Sequence, residues 1–123
     1  GGAEGDTTFE VFRQHQYAVL SEGEGCEIQV ISPIHMAGDL ELYLIDLKQG
    51  AALESRPHFE GAEEFTTVLE GSVEIRSGAH AHKVATGDSA YYDVDCDHAI
   101  TNVGSSPARL YMVVHYKKAT SPK

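Results

Sequence analysis

Apolar and polar positions alternate with a period of two along most of this chain. CEIQVIS (26–32) and LELYLIDL (40–47) carry the pattern most plainly. In a β-strand successive side chains point to opposite faces, so this alternation predicts half-buried strands. Further strands are expected over EFTTVLE (64–70), SVEIRS (72–77), HAHKVA (80–85), SAYYDV (89–94), HAITNV (98–103) and ARLYMVVHY (108–116), after an irregular opening VFRQHQYAVL (11–20). Gly71, Gly78 and the segments KQGA (48–51), ATGD (85–88) and GSSP (104–107) read as the turns between them. No stretch of ten residues has a helical 3.6-residue period. Eight or nine short strands with regular turns predict an all-β sandwich or barrel.

Length and charge narrow the picture. The chain has 123 residues, the size of one ordinary domain. Residues 1–8 read as a disordered lead-in or linker remnant, 9–117 as the single domain and 118–123 as a loose tail. The opening GGAEGD lacks Met, which fits a fragment or a processed chain. A formal net charge of −10 repels polyphosphate and argues against direct DNA or RNA binding. No apolar run approaches the ~20 residues of a membrane span, and no signal segment opens the chain. Cys26 and Cys96 lie far apart in a chain that needs no staple, which fits a cytoplasmic setting.

The stretch ESRPHFEGAEEFTTVLEG (54–71) carries the candidate chemistry. Imidazole and carboxylate are both good ligands for divalent metals. If Glu64 faces the inside of a barrel, strand parity sends Thr66 and Val68 inward with it, and Phe65, Thr67 and Leu69 outward. His58 reaches the same cavity if the FEGAE segment loops, with Gly61 permitting the loop. His98, opening HAITNV after a turn, is the best third ligand. The competing reading makes the Glu60, Glu63 and Glu64 cluster a solvated acidic loop.

These residues also carry a family resemblance. The spacing of Gly50, Arg56, His58, Glu64 and Gly71 resembles the first cupin motif, and Gly87, His98 and Asn102 resemble the second. The resemblance implies a double-stranded β-helix, the cupin jelly-roll barrel, over nearly the whole chain. The chain departs from the pattern in places. Arg56 stands where the first motif has its first His, His58 and Glu64 are one residue further apart than usual, and Asp93 and Asp95 replace a Pro and a Gly. The implied ligand set shrinks to His58, Glu64 and His98, with Glu63 as the fallback. The implied cofactor is a divalent ion such as zinc, iron, manganese or nickel.

The variant SRPHFEGAEEFTTVLEG, with GDSAYYDVDCDHAITN and LYMVVHY, is similar to the C-terminal sensor domains of bacterial regulators with a Cro/CI-type (XRE) helix-turn-helix. That likeness implies an effector-binding domain for a small, anionic or amino-acid-like metabolite. DNA would then be met only by an N-terminal helix-turn-helix absent from these residues. Candidate effector contacts are Arg56, whose guanidinium suits an anion, Thr66 on the face of Glu64, Tyr92, since one of the adjacent Tyr91 and Tyr92 should face inward, Cys96 near His98, and His115 on the last strand. For each the plainer alternative is an ordinary surface or packing role. His115 in particular is by default a core or interface histidine. Exposed strand edges predict a homodimer. The rival function is a metal-dependent enzyme, a dioxygenase, epoxidase or isomerase with a two-His one-carboxylate site. A metal-free pocket lined by His58 and Arg56 is the third reading.

Overall fold

The computed structural model describes residues 7–55 and 61–117. Among the described residues ten strands form two antiparallel sheets. The larger has the order β1 (Ala18–Ser21), β2 (Cys26–Val30), β3 (Leu40–Leu47), β10 (Ala108–Tyr116), β5 (Ala62–Glu70) and β8 (Ser89–Asp93). The smaller has the order β4 (Ala52–Ser55), β9 (His98–Asn102), β6 (Ser72–Ser77) and β7 (His80–Ala85). The sheets face each other as a jelly-roll, and non-consecutive neighbours such as β3, β10 and β5 are crossovers of that topology. Among the described residues two short 3-10 turns, Gln14–Gln16 and Ile34–Met36, flank β1 and β2. Among the described residues no helix is long and apolar enough to cross a membrane.

Alternation decides which face becomes core. In β5, Ala62, Glu64, Thr66 and Val68 are buried, while Phe65 and Leu69 are about half exposed. In β10 the buried positions are Ala108, Leu110, Met112 and Val114. Ile45, Leu47, Val68, Leu110, Val73 and Ile100 fill the space between the sheets. Fully burying each large aliphatic side chain contributes roughly 1.5–3 kcal/mol against the entropy of ordering the chain.

One glycine is required where the chain passes from the large sheet to the small one. Gly71, between β5 and β6, has φ +91°, and a Cβ there would lie 2.9 Å from the Ala108 Cα. A side chain would meet both the left-handed penalty and a backbone clash.

Two elements differ from the sequence expectation. β4 follows the KQGA turn directly, and its four residues are too short to display a period against Ala51 and Ala52. The irregular opening resolves into the first 3-10 turn and β1, an edge strand whose exposed side chains gave no alternation. The expected lead-in through Asp6, the tail from Lys118, and Arg56 to Glu60 lie outside the described residues.

Candidate functional site

Strand pairing assembles the inner face of the large sheet row by row. Ala18, Val30, Tyr43, Met112, Thr66 and Ala90 are successive partners across all six strands. The next row runs Glu41, Val114, Glu64 and Tyr92. Two carboxylates far apart in sequence therefore share one row and one face. His98 approaches from the opposite sheet, as the first residue of β9, paired with Ser55 and Ser77.

A cavity of about 120 Å³ lies between these elements. Glu41, Tyr43, Glu64, His98, Met112 and Tyr116 are among its walls. Glu64 and His98 are only 3% and 5% exposed, and His98 Nε2 lies 3.5 Å from Glu64 Oε2. The other imidazole nitrogen, Nδ1–H, donates to the Cys96 carbonyl at 2.9 Å. That bond orients the ring and aims Nε2 at the carboxylate. Burial pulls the His98 imidazolium down, but the Glu64 carboxylate and the Cys96 carbonyl outweigh it, and the net direction is upward.

The donor set also fits a metal ion. Two donors at ~2.1 Å from one ion, at a tetrahedral angle, stand about 3.4 Å apart, close to the separation found between His98 and Glu64. Among the described residues no group of three or more His, Cys, Asp or Glu side chains converges. His58, the third expected ligand, lies outside the described residues, as does Arg56.

Behind the pair stands a hydroxyl relay. Tyr92 is the cross-strand partner of Glu64, and its hydroxyl oxygen lies 2.7 Å from Thr66 Oγ1. Either hydroxyl can donate in that bond. Burial first, and then the charge of Glu64, push the Tyr92 phenol up, so it remains a donor. Thr66 is fully buried beneath the site and braces Tyr92.

The remaining expected contacts are placed elsewhere. Cys96 serves the site through its backbone carbonyl; its thiol turns to Ser77 Oγ, 3.3 Å away. His115 is an odd-numbered residue on a strand whose even-numbered residues are buried, so it projects from the outer face. There its Nδ1 lies 2.9 Å from Glu63 Oε1. Glu63, the fallback ligand, faces the same way, and Lys117 Nζ lies 3.2 Å from its second oxygen. Neither side chain turns toward the cavity, because neighbours along a strand face apart.

Sequence reasoning missed Glu41 and Tyr116 and left Tyr43 open. Glu41 Oε1 accepts from the Tyr43 hydroxyl at 2.8 Å and the Tyr116 hydroxyl at 2.9 Å, and Oε2 accepts from the Gly38 amide at 3.2 Å. Burial, then Glu41, pushes the Tyr116 phenol up to about 12, and Tyr43 is raised in the same way. The available signal was parity: Glu41 and Tyr43 share a face with Ile45 and Leu47. It was masked because the other face of the strand, Leu40, Leu42 and Leu44, is apolar too.

Comparison with known proteins places this architecture. Over 79 residues the chain is 24% identical to the HTH-type transcriptional regulator SutR of Escherichia coli (strain K12). The match spans 64% of this chain and 44% of that regulator, less than half its length. The crystal structure of a cupin domain from an XRE family transcriptional regulator of Enterobacter cloacae superposes with a TM-score of 0.71 at 23% identity, covering 77% of this chain and all of that one. Hydroxypropylphosphonic acid epoxidase from S. wedmorenis reaches the same TM-score of 0.71 at 19% identity, over 85% of this chain and 58% of the enzyme. The fold is thus shared by regulator domains and by enzymes. The Cupin domain family model matches residues 43–114, more than half of the sequence, and this chain belongs to the cupin family.

Proposed function

We propose that this cupin domain is the effector-binding domain of a bacterial transcriptional regulator, holding a divalent metal and a small metabolite within the barrel. The observation that carries the reading is the buried pair of His98 Nε2 and Glu64 Oε2 at 3.5 Å, with Nδ1 already tied to a backbone carbonyl. In this reading His58 completes the set with Glu64 and His98, and Arg56 meets an anionic group of the effector. The metal, when bound, supplies a Lewis-acidic centre for an oxygen or nitrogen donor of the effector. Tyr92 and Thr66 keep the Glu64 carboxylate oriented. Effector binding signals only if it favours one arrangement of the full regulator over another, a coupling of typically ~1–3 kcal/mol. The DNA-binding helix-turn-helix and a cytoplasmic setting belong to the same proposal, supported by the regulator likeness, as does a homodimer, for which exposed strand edges argue.

A metal-dependent enzyme is the second reading, favoured by the shared fold of the epoxidase. The cavity hydroxyls weigh against it. Tyr43 and Tyr116 are both pushed up by burial. Groups far above operating pH are weak proton shuttles and good fixed donors. The test is elemental analysis of protein purified without a metal-affinity column, followed by oxygen consumption after loading with Fe(II). Stoichiometric metal that disappears in His98→Ala, with no substrate-dependent oxygen uptake, supports the sensor. Full metal content in His98→Ala removes the site.

A further inference from the structure

We propose a second ligand compartment beside the barrel cavity, which receives a small organic ammonium with its charged group on Glu41 and its apolar chain in the adjoining cleft. The proposal goes beyond the sensor reading: it adds a second ligand, a cation, in a compartment of its own, and it uses none of the metal ligands.

The cleft measures about 320 Å³, at the lower end of the roughly 300–1,000 Å³ typical of small-ligand pockets. Phe12 and Tyr17 from the N-terminal segment, Val30 from β2, and Ile34 from the second 3-10 turn form its sides. Glu41 and Tyr43 belong to its wall and to that of the barrel cavity. The strand register explains why. Ala18, Val30 and Tyr43 are one row of the inner face, continued by Met112 into the barrel, so cleft and cavity are two ends of one concave surface.

The charge of this surface selects the ligand. Glu41 is the one charged residue among the described residues lining the cleft, and neither compartment is lined by a described Lys or Arg. Three donors hold the Glu41 carboxylate in place, two tyrosine hydroxyls on Oε1 and the Gly38 amide on Oε2. A carboxylate offers about four acceptor positions, so an ammonium can add to Oε2 without displacing these bonds. Aromatic rings around it attract a cation and gain nothing from an anion. The far rim is apolar and uncovered, with Ile34 92% exposed and Phe12 40% exposed, so the chain of a bound amine would shield them from water.

The test titrates the full chain with n-propyl-, n-butyl-, n-pentyl- and n-hexylamine, and with hexan-1-ol and hexanoate, followed by amide chemical shifts. Affinity for the amines is expected to rise about three- to fourfold per methylene. The alcohol and the acid should bind at least ~10-fold more weakly than hexylamine. Glu41→Gln should cost a similar factor. Ile34→Ser, at an exposed rim position that folding does not need, should flatten the chain-length series. Equal binding of amine, alcohol and acid, or an unchanged amine affinity in Glu41→Gln, or an unchanged series in Ile34→Ser, overturns the proposal. His98→Ala separates the two readings: it tests the metal alone and should leave hexylamine binding intact.

Discussion

On β5 the side chains of Glu63 and Glu64 leave adjacent backbone positions toward opposite faces, and nearly everything about them differs. Glu63 sits at the outer rim among His115, Lys117 and Tyr91, which together hold its carboxyl down to about 2, His115 contributing most. Glu64 is buried against His98 and Tyr92 inside the barrel. The outer group is satisfied by partners that water and salt can replace. The inner one has traded water for a fixed imidazole and a fixed phenol, which makes it chemically useful and intolerant of change. A one-residue shift of β5 would exchange the two settings.

Stability should show the contrast most strongly. Leu110→Ala, on the inner face and fully buried, should cost about 2–5 kcal/mol. Leu69→Ala, 48% exposed on the outer face, should cost under about 1 kcal/mol. Urea midpoints measured side by side decide it, and equal losses would mean that the two faces are wrongly assigned.

Metal affinity should separate the neighbouring glutamates next. Glu64→Gln is expected to weaken Zn(II) binding by about 10- to 100-fold or more, whereas Glu63→Gln leaves it unchanged. Competition titration against a chelating dye reads both numbers.

The two cysteines sharpen the same distinction. Cys26 belongs to the inner face of β2, is 3% exposed, and burial followed by Glu22 pushes its thiol up to about 11. Cys96 lies in the loop before β9 and is partly exposed. Iodoacetamide at neutral pH should label Cys96 first, and Cys26 only under denaturant, as peptide mass analysis would reveal.

The smallest effect concerns the pH response of Glu63. Its depressed pKa favours the folded state above the ordinary carboxylate range, and that preference is lost as pH falls through about 2. Carboxyl carbon shifts of Glu63 should therefore hold steady from neutrality down to about pH 3. In ~1 M salt the midpoint should move back toward the ordinary value, because exposed pairs are screened.

Parity within one strand was legible before any coordinates. It separates Glu64, Thr66 and Val68 from Phe65, Thr67 and Leu69, and the structure keeps that division. The same rule, applied to β10, puts His115 with Tyr111 and Val113 and away from the buried Leu110, Met112 and Val114. Its placement outside the barrel was therefore available once the buried set was known. Glu41 escaped notice because β3 is apolar on both faces, so alternation could not say which side met the core.

Local alternation was enough to establish an all-β chain, its turns, and which residues of β5 share a face, because neighbouring residues alone set which way a side chain leaves an extended backbone. Bringing Glu41, Glu64 and Val114 into one row, with His98 facing them from the other sheet, required strands far apart in the chain to pair in a particular register. That register comes from packing summed over the whole core, and no short window of residues contains it.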